Sequence, residues 1–435
     1  ARYGSWASTF GTDGESGGPI CGKKRGFSYF AHTPNQYFRD PTPHSRSLYV
    51  TASADDASSD THWHRESVDA FLRASAVRAG ARLIAGTLED LQPADRWRLS
   101  IQASGEPIQL RADEIVDATA LAVVARLMRR ADVVQAPRCK TNQLQTATHS
   151  VFTHLRGVGE FANSRSFCVE STDGDPFHGD DAAQHHLLHD GWMWVLRFDN
   201  GIASVGRVFQ GKKSAARPLP CDNIAKQFGV SQYPSLRDML SGSTPAYPTT
   251  PLVRTKRLQK WLGPSAGAGF FLLPNAASTI DPMHSTGLAH TAAGVARVAH
   301  LLLQVDSDDV AARQRYQETI DREVRWLDQM IRLTYDHLHD FDAFVSATMP
   351  YFCAAICSEE SLRSNWSAMQ DNQRSLWTAD DEGLAAALVD IRELLADGEA
   401  EDHRRVGELL QPWNTAGLCN MDANLRYRYT AASKT

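Results

Sequence analysis

No apolar run in these 435 residues approaches the ~18–20 needed to cross a bilayer, because charged residues and histidines interrupt each candidate. Basic runs are equally scarce. Lys23-Lys24-Arg25 is the longest, and with a net charge of −6 the composition excludes a nucleic-acid partner. The seven cysteines, at 21, 139, 168, 221, 353, 357 and 419, contain no C-x-x-C pair. Odd in number and scattered, they point to reduced thiols in a cytoplasmic protein. Cys353 and Cys357 stand four apart on an expected helix, where core packing is the better reading than metal binding. Internal repeats and low-complexity tracts are missing. The opening ARYGSWASTFG has neither an initiator Met nor a targeting segment and is already strand-like, so the sequence reads as starting inside a domain.

What is present is ordinary for a globular protein. With 42% hydrophobic and 22% charged residues, a chain of 435 supports two or three domains and a large core. The most informative stretch runs from Gly269 to Leu303. Gly269–Leu273 predicts a short buried strand, followed by a Pro-containing loop and an amphipathic helix. Leu288, Ala292, Val295, Val298, Ala299, Leu302 and Leu303 recur at helical spacing and predict its buried face. Ser285 or Thr286 can cap that helix, and Gly287 leaves its first turn bare. Such a helix start can hold an anion or a polarised ring oxygen; it is equally the start of an ordinary strand–loop–helix unit.

Upstream, residues 26–53 predict two strands joined by a loop around Pro34, Pro41 and Pro43. A helix follows, carrying Val68, Phe71, Leu72 and Val77 and closed by Gly80. Arg65 at its start has Asp69 four residues on, a spacing that makes a weak surface ion pair. Arg82–Asp90, Arg96–Ala103 and Glu106–Leu110 read as a β-meander, Glu114–Thr119 as a buried strand, and Leu121–Arg130 as a helix. From 140 to 254 the pattern is strand-rich, with a hairpin turning at Asp199-Asn200-Gly201. Between Asp173 and Asp190 lies a segment dense in Asp and His, including His185, His186 and His189. No recognisable ligand spacing completes a metal site there, and the segment reads as a solvated hairpin crossing. Trp192 and Trp194, one residue apart on a strand, face the same side and suit a hydrophobic layer. Gly157-Val-Gly159 resembles a phosphate loop only superficially, since no helix follows it. Beyond 306 the sequence is helical (Val310–His339, Ala343–Cys357, Thr378–Ala396, Asp402–Leu410). It reads as an appendage without chemistry of its own, covering a pocket mouth or an interface.

Several of these segments, taken in order over about residues 1–360, resemble flavin-dependent halogenases of the tryptophan-halogenase type and the wider FAD-dependent monooxygenase superfamily. Asn275-Ala-Ala-x-x-Ile-Asp281-Pro282-x-x-Ser-Thr286-Gly287 is similar to the loop that passes the flavin ring in that family. Trp192-Met-Trp194-Val-Leu196-Arg197 is similar to the W-x-W-x-I-P signature, with Leu and Arg in place of Ile and Pro. Arg65-x-x-x-Asp69-x-x-Leu72 resembles the element whose Arg lies near the cofactor phosphates, and a guanidinium fork suits phosphate. Asp117-Ala-Thr-Ala120 resembles the strand-ending D-A-[ST]-G beside the cofactor, with Ala120 replacing the glycine.

The resemblance implies an α/β chain. Its FAD-binding, Rossmann-like domain lacks the N-terminal strand-GxGxxG-helix unit and comprises residues 51–130 and 255–305. Residues 1–50 would form a strand-rich flavin interface, 131–254 a β-sheet substrate domain and 306–435 the helical C-terminal region. It also implies FAD reduced by a partner reductase, a flavin hydroperoxide, chloride or bromide as halide, and an aromatic or other electron-rich small-molecule substrate. By the same token Trp192 and Trp194 shape the path between flavin and substrate, and Arg65, Asp117, Asn275, Asp281, Pro282, Thr286 and Gly287 line the cofactor. His284 falls where indole-type members carry Glu, and Ser5 where the family carries the lysine that relays the halogenating electrophile. A hydroxyl cannot do that work. The sequence therefore leaves open a halogenase-like oxidoreductase, a flavin monooxygenase or dehydrogenase, and a remnant that no longer binds FAD.

Overall fold

Strand segments far apart in the chain assemble into a nine-stranded sheet, and the period-two pattern of each explains how both faces come to be buried. The computed structural model describes residues 18–40, 44–95, 97–162, 168–169, 174–211, 223–247, 252–304, 309–398 and 402–428. The strands that matter below are β1 (Gly26–Ala31), β2 (Ser47–Thr51), the meander β3 (Gly86–Gln92), β4 (Trp97–Ala103) and β5 (Ile108–Ala112), then β6 (Ile115–Asp117), β7 (Thr148–Arg156), β8 (Ala183–Leu188), β9 (Gly191–Arg197), β10 (Ile202–Gln210), β11 (Phe270–Leu272) and β12 (Arg426–Tyr427). The large sheet runs β7-β10-β9-β8-β1-β2-β12, with Thr244–Pro245 beyond β7 and Val253–Arg254 also pairing with β7. The β8–β1 and β2–β12 pairs are parallel and the others antiparallel.

Alternation along the strands sends Phe27, Tyr29, Leu48, Val50, Leu187, Trp192 and Val208 into one core. Phe30, Tyr49, Val151, Leu155, Met193, Val195 and Val205 go into another on the opposite face. β8 decides the fate of the histidine-rich segment. His185 and His186 are 2% and 0% exposed, so the expected solvated crossing is instead an interior strand. Their polarity is absorbed locally. His185 bonds to the Ala183 carbonyl at 2.8 Å, while His186 meets His32 at 3.0 Å and Gln184 at 3.1 Å. A sequence rich in His looks solvated, but imidazoles with partners are compatible with a core.

The second sheet is short. β6 and β11 lie side by side and parallel, Ile115 opposite Phe270 and Asp117 opposite Leu272, with Ala266–Gly267 on the far side of β11. The strands expected at Glu114–Thr119 and Gly269–Leu273 are these, and the fold makes them neighbours. The meander β3–β5 packs beside them through Leu91, Trp97 and Phe270.

Among the described residues the helices of eight or more residues are α1 (Arg65–Arg78), α2 (Val123–Arg130), α3 (Gly287–Gln304), α4 (Val310–Asp336), α5 (Phe341–Ser364), α6 (Glu382–Asp397) and α7 (Asp402–Leu409). Asp309 starts α4 by accepting the Ala312 N–H at 3.0 Å. α4 and α5 are not an appendage. Tyr316, Ile320, Leu327, Ile331, Tyr335, Phe344 and Phe352 share the core that contains Phe27, Tyr29 and Trp192. α5 is long and apolar enough to span a membrane, but 72% of its apolar window is buried inside the protein, as in a core helix.

On α3 the predicted face is largely the wrong one. Leu288, Val295 and Leu303 are 42%, 49% and 75% exposed, whereas His290, Ala293, Gly294, Arg297, Val298 and Leu301 are buried. The cause is an ion pair. Arg297 Nη1 and Nη2 donate to Glu323 Oε2 and Oε1 of α4 at 2.9 and 2.7 Å, both side chains being fully buried. A helix that turns its arginine inward defeats a reading by hydrophobic period.

Candidate functional site

The loops at the carboxyl ends of β6 and β11 meet, which is where parallel α/β sheets collect ligands. After β6, Asp117 closes a tight turn. Its Oδ1 accepts from the Thr119 N–H at 2.9 Å and hydroxyl at 2.6 Å, and its Oδ2 accepts from the Val124 N–H at 2.9 Å in the first turn of α2. After β11, the helical turn Pro274–Ala277 carries Asn275, whose Nδ2 donates to the Ala118 carbonyl at 3.0 Å. Asn275 Oδ1 has no partner. Lys260 Nζ stitches the two loops, donating to the carbonyls of Ala120 at 2.8 Å and Asn275 at 3.2 Å. Burial lowers its pKa below the usual lysine value.

Asp281 is the centre of the next segment. It precedes the 3₁₀ turn Pro282–His284 and caps it, Oδ1 accepting from the Met283 N–H at 3.1 Å, while Pro282 fixes φ at the first turn position. Its Oδ2 accepts from the Thr148 hydroxyl of β7 at 2.6 Å, and the Tyr335 hydroxyl of α4 lies 3.2 Å from both oxygens. A phenol has one proton to give. Tyr335 gives it to Asp281 and accepts the indole N–H of Trp192 at 2.7 Å. β7, β9, α4 and the loop before α3 are thereby joined through one buried carboxyl. Burial pushes its pKa up to about 6 against the hydrogen bonds that favour the carboxylate.

Trp194 lies beside Trp192, ring centroids 5.9 Å apart, and its N–H donates to the Ser204 hydroxyl at 3.2 Å. Its indole covers Gly206, directly opposite on β10, where a Cβ would overlap the ring. Past the turn, Ser285 adopts φ +55° and the chain enters α3. Thr286 is buried, while around Gly287 no atom stands within 4 Å of where a Cβ would be. The first N–H groups of α3 have no preceding helical carbonyl, and their dipole is positive toward this opening. His284 is buried, its ring stacked on Tyr351 at 4.1 Å.

The structure thus brings Asp117 and Asn275 together at the strand ends. Asp281, Pro282, His284, Thr286 and Gly287 form one continuous loop, tied to Trp192 and, through it, Trp194. It sets Arg65 differently. Arg65, 61% exposed on α1, makes the i, i+4 pair with Asp69 at 3.0 Å. Ser5 lies outside the described residues. Sequence reasoning missed Tyr335, Thr148 and Lys260. Tyr335 was legible only as a core position of an amphipathic helix, and no local signal announces that its hydroxyl faces a carboxyl 54 residues away.

These residues fit the ring end of a flavin. Asn275 Oδ1 is an acceptor without a donor, and the bare start of α3 supplies N–H donors where Gly287 permits close approach. FAD also has a pyrophosphate, and no strand-GxGxxG-helix occurs in the sequence to cradle it.

A family model described as "Tryptophan halogenase" matches residues 163–348. Among curated proteins, the tetracycline 7-halogenase of Kitasatospora aureofaciens is 26% identical over 325 residues, 72% of this chain and 55% of that protein. Monodechloroaminopyrrolnitrin halogenase PrnC of Pseudomonas fluorescens is 24% identical over 326 residues, 74% of this chain and 53% of its own length. The chain spans about half the length of these relatives. In three dimensions it is similar to the halogenase PltM, with a TM-score of 0.77 at 20% identity, covering 96% of this chain and 85% of that one. The complex of PltM with phloroglucinol and FAD superposes with a TM-score of 0.75 at 20% identity over 94% and 83% of the two chains. The flavin-dependent brominase Bmp2 does so with 0.59 at 14% identity over 88% and 84%. The chain therefore has the α/β fold of flavin-dependent halogenases and is similar in sequence to curated members of that group.

Proposed function

We propose that this protein is an FAD-dependent oxidoreductase of the halogenase type, acting on an aromatic or other electron-rich small molecule in the cytoplasm, with reducing equivalents from a partner reductase and chloride or bromide as halide. The observation that carries this reading is the hydrogen-bond chain Trp192–Tyr335–Asp281. It ties the W-x-W strand to the loop that leads into α3. FAD, when bound, supplies the electrons that activate dioxygen. The protein's own part is positional. Asn275, Thr286 and Gly287 meet the ring, the positive start of α3 favours negative charge there, and Trp192 and Trp194 shut out bulk water. Asp117 and Lys260 hold the loops that carry these groups. Incubation with excess FAD, a reductase, NADH and bromide, followed by mass spectrometry of an added indole, phenol or pyrrole, tests it. A bromine isotope pair in the product is the expected result; unchanged substrate with FAD demonstrably bound overturns it.

A second reading, a flavin monooxygenase or dehydrogenase on the same scaffold, is favoured by Arg197. This arginine stands at the family's proline and is committed to structure. It donates to Asp180 at 2.9 Å and to the carbonyls of Val158 and Gly159 at 3.0 and 2.6 Å. Ser5 at the family's lysine position favours the same alternative. Under it the bromide experiment gives a hydroxylated or oxidised product and no bromide dependence.

A further inference from the structure

Opposite charges face each other across a cavity of about 560 Å³ at the start of α4. One wall is α4 itself, where helical spacing puts Arg315, Glu318, Thr319 and Arg322 on a single face. The other is the turn into α6, which presents Asp380, Asp381 and Glu382. Thr319 stands about four turns of helix (~24 Å) before Tyr335, so this cavity is separate from the loops described above. Each wall is fixed by bonds of its own. Asp381 Oδ1 caps α6, accepting from the Leu384 N–H at 2.9 Å, and its Oδ2 accepts the Trp413 indole N–H at 3.0 Å. Asp380 Oδ1 accepts from the Ser375 N–H at 3.2 Å. Arg322 Nη1 donates to the Ser375 hydroxyl at 3.1 Å, while Arg315 lies 4.0 Å from the Asp309 carboxylate. Among the described residues no ion pair joins Arg315 or Arg322 to the acidic wall.

Between the walls lies Asn372, which lines the cavity and is 7% exposed. The Thr319 hydroxyl donates to its carbonyl at 3.4 Å, which ties it to α4. Its side-chain Nδ2 donates to the Gln370 carbonyl at 3.4 Å, which turns the amide oxygen the other way, and Oδ1 has no partner. Native proteins rarely leave a buried acceptor unpaired, and each instance calls for an explanation. A donor satisfies Oδ1, a cation the acidic wall and an anion the arginines. An ammonium brings three N–H donors and a carboxylate two acceptor oxygens, so one small zwitterion meets all three demands. We propose that this cavity binds a free α-amino acid. Its ammonium donates to Asn372 Oδ1 and faces Asp380 and Glu382, and its carboxylate accepts from Arg315 and Arg322. Such a ligand fastens α4 to the start of α6. The site is additional to the flavin function proposed above and does not depend on it.

Calorimetric titration with L-glutamine tests the assignment, since Gln373 at the same cavity offers an amide to its side chain. Two analogues serve as controls. 4-Aminobutanamide lacks the carboxylate and glutaramate lacks the ammonium. Each is expected to bind roughly ten- to a hundredfold more weakly than glutamine, having lost its charge-assisted bonds. Arg315→Gln is expected to weaken glutamine about tenfold and leave 4-aminobutanamide unchanged; Glu382→Gln should weaken glutamine similarly and leave glutaramate unchanged. Asn372→Gly removes the amide while suiting the φ of +59° found there, and is expected to cost about tenfold. Unchanged melting temperatures of the ligand-free variants confirm that each has folded. Absence of glutamine binding to the unaltered protein overturns the proposal. So does an analogue that binds as tightly as glutamine, which marks a simple cation or anion site, or full affinity retained in Arg315→Gln or Asn372→Gly.

Discussion

The hydroxyl of Tyr335 does two jobs that no other atom can take over, accepting from Trp192 and donating to Asp281. Tyr335→Phe leaves an indole N–H unpaired in the core and removes a donor from a buried carboxyl. The expected loss is about 1–3 kcal/mol in urea unfolding at pH 7, because an orphaned buried donor forfeits its full solvation. A change within about 0.5 kcal/mol, the range of neutral surface substitutions, refutes the linking role. The sequence signalled Trp192 through its spacing with Trp194, and Asp281 through the resemblance of its loop to the halogenase flavin loop. It did not signal the tyrosine that connects them, since a Tyr at a core position of a helix looks the same whether or not its hydroxyl has a partner.

Among the elements, α3 and α4 are the pair whose packing could not be read from periodicity. Arg297 and Glu323 form a bidentate pair with both side chains at 0% exposure, and Glu323 Oε1 also accepts the Leu376 N–H at 2.7 Å. The arginine holds the Glu323 carboxyl down at about 2 against the burial that would raise it. Removing one member strands the other charge, so Glu323→Gln is expected to cost about 3–5 kcal/mol by urea unfolding. The double replacement Arg297→Met, Glu323→Leu should recover most of that loss, because desolvation of two charges offsets much of their attraction. If the double variant is no more stable than the single, the pair contributes net stability. The exposed stripe Leu288, Val295 and Leu303 on the other side of α3 is the counterpart of this arrangement. A helix bonded inward through its polar residues turns its apolar ones out.

For the whole molecule, buried histidines set the response to acid. His32, His62 and His284 are held down at about 3, and His185 and His403 at about 4, in each case chiefly by burial. Each folded value lies below the ordinary 6.5, so the unfolded chain binds more protons in that window. The stabilisation is complete above about pH 6.5 and is lost as pH falls toward 3, at up to about 1.4 kcal/mol per pH unit for each histidine that must charge. Asp281 works the other way, since its pKa is raised to about 6 and the stability linked to its retained proton is lost as pH rises through that value. One carboxyl does not offset five histidines, and urea midpoints should fall steadily from pH 6.5 to 4; a flat profile contradicts the burial of these rings. Residues 1–435 taken by themselves should hold FAD weakly, since charge-assisted contacts to phosphate are worth about 1.5–3 kcal/mol each and no GxGxxG unit lies among them. Co-elution of FAD with the protein in gel filtration would show otherwise.

The sequence by itself determined what is local. It marked β6 and β11, the meander, the β9–β10 hairpin and the loop into α3, because turn chemistry, caps and short-range alternation act between residues a few positions apart. Its motifs carried the resemblance to flavin-dependent halogenases, since that likeness resides in short strings that meet a ring or a turn. Tertiary structure alone decided what depends on distant partners. The histidines of β8 became core residues because His32, brought alongside by the neighbouring strand β1, meets His186, whose other ring nitrogen is met by Gln184 of its own strand. α3 turned its arginine inward because Glu323 stands 26 residues away to receive it. The C-terminal helices became part of the core because Tyr335 reaches Asp281 and Trp192 there. A buried polar group is tolerable only once its partner is in place, and the partner is chosen by the fold.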